Sequence, residues 1–291
     1  ITDLARNVIE GAAAAPTRTV DLFGPPRRTV VVQGLPLDHA GEEVGALVVI
    51  EDITERRRLE AIRRDFVANI SHELKTPVGA LGLLAETFVA EDDPAVARRL
   101  AERMLHESFR VARTIDDLLE LSRIEGDDRA TREEIAIDAC LTEAAERVSG
   151  AAEQRGISVQ VEPPSPGLAV RGDRRQLVSA LYILLDNAVK YSESGSTVQV
   201  SARGLADSVE ISVEDHGVGI PRRDLERVFE RFYRVDQARS RETGGTGLGL
   251  AIVRHVASNL DGEVHVESRE GEGSTFTLRL PASVPDASGT R

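Results

Sequence analysis

Apolar or helix-compatible residues recur along one stretch of this chain with unusual regularity: Leu59, Ile62, Phe66, Ile70, Leu74, Pro77, Leu81, Leu84 and Phe88. Their mean spacing is about 3.6 residues, the α-helical period. Acidic Glu91-Asp92-Asp93 followed by Pro94 interrupts the pattern, and proline suits the first turn of a new helix. A second stripe then runs through Val96, Leu100, Met104, Val111, Ile115 and Leu118 and ends near Gly126. Two long helices joined by a short loop make an antiparallel hairpin. A lone hairpin cannot cover its own apolar stripe, so pairing with a second copy as a four-helix bundle is expected.

Composition bounds the rest. A length of 291 residues leaves room for about two domains and a small third. Aromatic residues are only 3% and Trp is absent, so the cores must be aliphatic and a base-stacking platform is not expected. The net charge of −13 argues against non-specific binding of nucleic acid. Cys140 is the single cysteine, which excludes an internal disulfide and the common Cys-rich zinc sites. The longest stretch without Asp, Glu, Lys or Arg is Thr243–Val253, too short to span a bilayer, which takes about 20 apolar residues. The chain starts at Ile1 rather than Met, and Leu4–Ile9 reads as the middle of something rather than a signal peptide. Any membrane segment is therefore expected before Ile1.

Around the hairpin the organisation changes twice. Residues 1–53 read as a domain remnant: Thr29–Leu35 and Gly45–Ile50 are β-branched runs bounded by Gly and Pro, and Gly11–Arg28 reads as loop after a short helical start. Residues 54–126 are the hairpin, and polar Gly126–Arg132 reads as the linker that ends it. From 133 to 281 helices at Ala139–Gln154, Arg174–Lys190 and Leu248–Asn259 alternate with strands at Ile157–Val161, Thr197–Arg203, Ser208–Glu214, Glu263–Ser268 and Ser274–Leu280. Hairpin strands grouped with helices predict an α+β sandwich with helices on one face of a mixed sheet. Residues 282–291 read as a disordered tail.

Three constellations carry chemistry. In Ser71-His72-Glu73-Leu74-Lys75-Thr76-Pro77, His72 lies two residues beyond Ile70, about 200° around the helix, so it faces solvent opposite the stripe. Thr76 is one turn further on the same face. A neutral imidazole keeps a lone pair on one nitrogen, and a carboxylate holding the proton on Nδ1 leaves Nε2 as a nucleophile. Pro77 has no N–H, which permits a bend. A solvated surface histidine fits the same residues. Leu184-Leu185-Asp186-Asn187-Ala188-Val189-Lys190-Tyr191 puts Asn187 and Lys190 on one helix face, where an amide oxygen suits Mg²⁺ already held by phosphates; a C-terminal lysine facing the helix dipole is the plainer account. Glycines in Asp215-His216-Gly217-Val218-Gly219-Ile220-Pro221 and Gly244-Gly245-Thr246-Gly247-Leu248-Gly249-Leu250 would let backbone N–H groups approach phosphate, although either cluster alone could be a turn.

In this order the segments Ser71–Pro77, Leu184–Tyr191, Asp215–Pro221, Phe229–Arg234 and Gly244–Leu250 resemble the H, N, G1, F and G2 boxes of sensor histidine kinases. Asp116–Glu125 resembles the end of the dimerisation hairpin, and Arg234–Val253 resembles the nucleotide lid and its helix. The resemblance covers about Asp52 to Pro281. It implies a dimerising hairpin followed by an ATP-binding domain of the Bergerat (GHKL) type. His72 would be the phospho-acceptor, Glu73 its acid/base, and Thr76 the residue positioning water in the reverse, phosphatase direction. Asp215 would hold the adenine amino group, with Gly217 and Gly219 giving the base room. Asn187 would bind Mg²⁺, Lys190 and Arg234 would meet phosphates, and Tyr191 would lie near the base. Gly245, Thr246, Gly247, Leu248 and Gly249 would shape the lid and the phosphate-facing helix start. The substrate is then ATP with Mg²⁺, and the partners are a second copy of the chain and a response regulator with a receiver Asp.

One position departs from the pattern: Ile183 stands where the family usually carries another Asn four residues before Asn187. The segment Gly45–Thr54 followed by Glu55–Arg58 resembles the last strands of a PAS sensor domain feeding a signalling helix. The stretch through Phe66–Pro77 is similar to membrane-anchored sensor kinases of actinobacteria that respond to phosphate limitation, which would make this chain the cytoplasmic portion of such a protein. A phosphatase-dominant member, a non-catalytic dimeric scaffold, and a chaperone- or mismatch-repair-type ATPase are the rival readings. The intact H box argues against the last of these.

Overall fold

The structure is a computed structural model describing residues 17–39, 42–126, 132–235 and 245–283. The expected helical start at Leu4–Ile9, most of the linker Gly126–Arg132, the lid residues 236–244 and residues 284–291 of the tail lie outside the described residues. The chain divides into two compact units, Ile1–His72 and Glu73–Arg291.

In the first unit, strands β1 (Thr17–Leu22), β2 (Arg28–His39) and β3 (Glu42–Asp52) form an antiparallel sheet in the order β1-β2-β3. The expectation of loop through Gly11–Arg28 is corrected here, because Thr17–Leu22 pairs residue for residue with Arg28–Gln33. Alternation of Thr, Val and Leu with polar residues is enough for an edge strand despite the nearby prolines. Helix α1 (Thr54–Val89) starts where the sheet ends: Thr54 Oγ1 donates to Asp52 Oδ1 at 2.5 Å, and the Thr29 N–H donates to Thr54 Oγ1 at 2.8 Å. The Asp52 carboxylate also accepts from the Thr54 N–H at 3.0 Å, satisfying a group that a helix N-terminus leaves without an intrahelical partner.

Helix α1 runs through Pro77, as the uninterrupted period predicted. Helix α2 (Pro94–Gly126) follows a short loop, with Pro94 in its first turn and the Asp93 carboxylate accepting from the Ala95 N–H at 2.8 Å. Many apolar residues of the two helices stay exposed, among them Val78, Leu83, Val89, Leu105, Phe109 and Leu119. Farther along α2 the environment changes, and Thr114, Leu121 and Ile124 are buried where α2 packs against helix α5 (Gly249–Asn259).

The remaining elements form a two-layer sandwich. Strands β5 (Ser158–Val161), β7 (Thr197–Gly204), β8 (Ser208–Asp215), β9 (Glu263–Arg269) and β10 (Gly273–Pro281) make a sheet in the order β5-β7-β8-β10-β9. Only the β5–β7 pair is parallel, so the sheet is mixed as expected. Helices α3 (Ile137–Arg155), α4 (Arg174–Tyr191) and α5 pack against it. Period-2 alternation turns Val198, Val200, Val209, Ile211, Val213, Phe276, Leu278 and Leu280 inward, and all are buried. On the outer face Glu210 sits in register between Arg203 and Arg279, which reach its two carboxylate oxygens at 2.6 Å each. These two hydrogen bonds, Arg279 foremost, hold its carboxyl below the usual range.

Sequence reading missed a second, two-stranded sheet of β4 (Glu133–Ala136) and β6 (Ala169–Gly172), whose strands are too short for periodicity to register. Beyond β10, Ala282 bridges Val170, and the Ser283 N–H donates to the Ala169 carbonyl at 2.8 Å.

Two substitutions test this architecture. Leu181 of α4 is fully buried, so Leu181→Ala should lower the unfolding free energy by about 2–5 kcal/mol in urea titrations. Gly219, in the loop after β8, has φ +66°, and a Cβ there would lie 1.9 Å from the Arg269 carbonyl oxygen. Gly219→Ala should cost about 2 kcal/mol or more by the same measurement, because neither the φ nor the backbone contact can relax cheaply.

Candidate active site

Helix α4 is the central wall of the site. Asp173 caps it by accepting from the Arg175 N–H at 2.7 Å, and its inner stripe of Leu177, Ala180, Leu181, Leu184 and Ala188 is buried. With that stripe held, the side chains at 182, 183, 186, 187, 190 and 191 are turned to another face. There they line a cavity of about 310 Å³ with the β8 loop and the N-terminus of α5.

At one end of the cavity the carboxylate of Asp215 is buried at the close of β8. Burial pushes its pKa up, opposed by hydrogen bonds from the Gly217 and Ser274 N–H groups. Val218, Ile220, Val228 and Phe276 give this end apolar walls. Gly217 does not line the cavity but lies beneath it: a Cβ there would stand 2.3 Å from the Tyr191 carbonyl oxygen, so glycine lets the β8 loop close against the end of α4. Ser192 bridges to Gly217 across the same contact.

At the other end the charges gather. Asp186 Oδ2 accepts from Lys190 Nζ at 2.5 Å, one helical turn on, and also from the guanidinium of Arg113 on α2. Thr246 Oγ1 donates to Asp117, also on α2, at 2.6 Å, and accepts from the Leu248 N–H at 3.2 Å. Burial lowers the pKa of Lys190 and raises that of Asp117. For Arg113 burial pulls downward, but the carboxylates of Asp186 and Asp117 more than offset it.

The glycines before α5 have separate duties. Gly247 has φ +74°, and a Cβ there would lie 2.9 Å from the backbone of Phe232, whose N–H donates to the Gly247 carbonyl at 2.8 Å. Gly249 leaves room for Ile183, whose Cγ2 would be 2.9 Å from an added Cβ. The apolar departure in the α4 motif therefore fills space against α5. Tyr233, in the F-box segment, donates to buried Asp224 at 2.7 Å under the Arg227 guanidinium.

Of the site residues expected from sequence, Asn187, Lys190, Tyr191, Asp215, Gly219, Arg234, Gly245, Thr246, Gly247 and Gly249 come together around the cavity. Leu248 does not: its side chain is fully buried in the core. His72, Glu73 and Thr76 lie on α1, with His72 and Thr76 exposed and Glu73 half-buried. Sequence reading missed Arg113, Asp117 and Asp186 as cavity residues. Only the odd polarity of Asp186 within an apolar helix could have signalled the last.

Purine and phosphate chemistry fits this set: a buried carboxylate among apolar side chains at one end, and Lys190 and Arg234 with helix-terminal N–H groups at the other. Among the described residues no group of three His, Cys, Asp or Glu could hold a metal ion by itself. The side-chain amide of Asn187 lines the cavity, and its oxygen has the chemistry to bind a cation carried mainly by phosphates and water.

Residues 62–127 match the His Kinase A (phospho-acceptor) domain, and residues 172–284 match the histidine kinase-, DNA gyrase B- and HSP90-like ATPase. The chain is 51% identical over 238 residues to the sensor-like histidine kinase SenX3 of Mycolicibacterium smegmatis, covering 81% of this chain and 62% of that protein. It is 34% identical over 245 residues to the phosphate regulon sensor protein PhoR of Pseudomonas aeruginosa, covering 83% of this chain and 55% of that one. The chain thus spans less than two thirds of the length of these relatives. In fold it is similar to the histidine kinase ThkA, solved in complex with the response regulator protein TrrA, at a TM-score of 0.64 and 21% identity over 97% of this chain and 83% of that one. With a phospho-acceptor hairpin followed by an ATPase domain of this type, the chain belongs to the sensor histidine kinase family.

Proposed function

We propose that this chain is the kinase portion of a two-component sensor, which phosphorylates His72 from ATP and passes the phosphoryl group to an Asp of a response regulator. The observation that carries the reading is the cavity itself: Asp215, Asn187 and Lys190 converge in one space, in a chain that also presents His72 on an exposed helix face.

Phosphoryl transfer asks mainly for positioning and neutralisation of charge. Asp215 accepts from the adenine amino group while Ile220 and Phe276 exclude water around the base. Lys190, Arg234 and the N–H groups at Gly245–Gly249 orient the phosphates. Magnesium, when bound with ATP, supplies neutralisation of phosphate charge, and Asn187 is the residue that would hold it. Nε2 of His72 attacks the γ-phosphorus in line, the N–P bond forms as the P–O bond to ADP breaks, and Glu73 takes up the imidazole proton from Nδ1. Phosphohistidine then gives its phosphoryl group to the receiver Asp. In the opposite direction Thr76 positions water against the phosphorylated regulator.

Residues 1–53 are read as the end of a PAS-like sensor domain, 54–126 as the dimerisation hairpin, 127–132 as linker and 133–281 as the catalytic domain. The exposed apolar residues of α1 and α2 support a homodimer built on the hairpin. No helix of the described residues is long and apolar enough to cross a membrane. Similarity to a protein named as a phosphate regulon sensor supports phosphate limitation as the signal. Autophosphorylation of the longer protein that does not change across phosphate concentrations would count against direct sensing.

Incubation with γ-labelled ATP and Mg²⁺ should leave acid-labile, alkali-stable label on the chain and none on His72→Gln. Unlabelled protein that still binds ATP would point to the phosphatase-dominant or scaffold reading. A second experiment addresses Asp215. Because burial raises its pKa, Asp215 takes up its proton at a higher pH than an ordinary carboxylate, so on acidification adenosine affinity should begin to fall earlier than an unshifted carboxylate would cause. Asp215→Asn should bind adenosine weakly and without that pH dependence in calorimetric titration.

A further inference from the structure

The hairpin helix α2 enters the lining of the nucleotide cavity through two charged side chains, Arg113 and Asp117. Their partners belong to the catalytic domain: Arg113 donates to Asp186, and Asp117 accepts from Thr246 at 2.6 Å. The side chain of Arg113 is 38% exposed, but that of Asp186 is 11% exposed and that of Lys190 13%, so the shared carboxylate and the lysine are screened less than in water.

The arrangement poses a problem of charge. Lys190, the cation read as meeting phosphate, already donates to Asp186 Oδ2 at 2.5 Å. Alone, that i,i+4 pair is neutral and has little net attraction for an anion. Arg113 donates to the same oxygen, so Asp186 divides its one charge between two cations. With Arg113 the set Arg113, Lys190, Asp117 and Asp186 sums to zero, whereas without it the set is net negative and faces a polyanion.

We propose that Arg113 is a positioning residue of the hairpin that takes a share of Asp186 and so leaves Lys190 available to the phosphates of ATP. The ATP site is then complete at its phosphate end only while the catalytic domain packs on α2, and the Asp117–Thr246 hydrogen bond is the second point of that docking. This rests on the ATP reading of the cavity, and it concerns the phosphate end alone.

The test is equilibrium binding of adenosine and of ATP with Mg²⁺ to the whole chain and to Arg113→Ala and Arg113→Lys. Arg113→Ala should bind ATP about tenfold more weakly, as expected for loss of one charge-assisted contact, while adenosine affinity stays within about twofold. Arg113→Lys should recover most of the loss, because it restores the charge. Retained adenosine binding shows that the variant is folded. Equal losses for adenosine and ATP would make Arg113 merely structural, and unchanged or tighter ATP binding would mean that α2 opposes nucleotide; either result overturns the proposal. Failure of the unsubstituted chain to bind adenosine or ATP would instead remove the ATP reading, and this inference with it.

Discussion

Burial of one stripe of α4 is the constraint on which the rest of the site depends. Leu177, Ala180, Leu181, Leu184 and Ala188 recur at three- and four-residue steps and sit in the core between sheet and neighbouring helices. A helix held along that line has no rotational freedom left. Asp186, Asn187, Lys190 and Tyr191 must therefore face the cavity, although nothing in their own chemistry requires it. The sheet fixes the opposite wall in the same way, since the inward residues of β8 set the point at which the chain turns and Asp215 is left buried.

The cavity has two electrostatic characters, and they suit the two ends of a nucleotide. Around Asp215 the surroundings are apolar and the partners are backbone N–H groups, so burial raises the carboxyl pKa. Around Asp186 four charged side chains from α2 and α4 share a small volume and compensate one another. Buried charges are tolerated only when paired, so removal of any one alters the others. That coupling makes the hairpin part of the electrostatics of the catalytic domain rather than a passive support.

Much of the fold was legible because its elements are long and strongly periodic. The 3.6-residue stripe of α1 continued through Pro77, and the Glu-Asp-Asp-Pro break fell where the helix ends. Alternating valines and leucines gave β7, β8 and β10 to within a residue or two. The failures share a cause. Strands β4 and β6 have four residues each, and β1 lies among prolines, so pattern is weak and pairing with a distant segment decides the conformation. Ile183 looked like a defect in a polar motif until its contact with the α5 N-terminus gave it a packing partner.

By itself the sequence determined the order of elements, the helix face that carries His72, and the residue types able to meet base, phosphate and metal. Those properties follow from local period and side-chain chemistry, which a chain carries wherever it goes. Tertiary structure alone decided that Arg113 and Asp117, far from α4 in sequence, reach its cavity, and that Leu248 withdraws from the cavity into the core. It also decided why glycine is needed at 217, 219 and 247, where the obstacle is the backbone of a distant segment. Contacts between remote residues leave no local period, so they become visible only when packing brings the segments together.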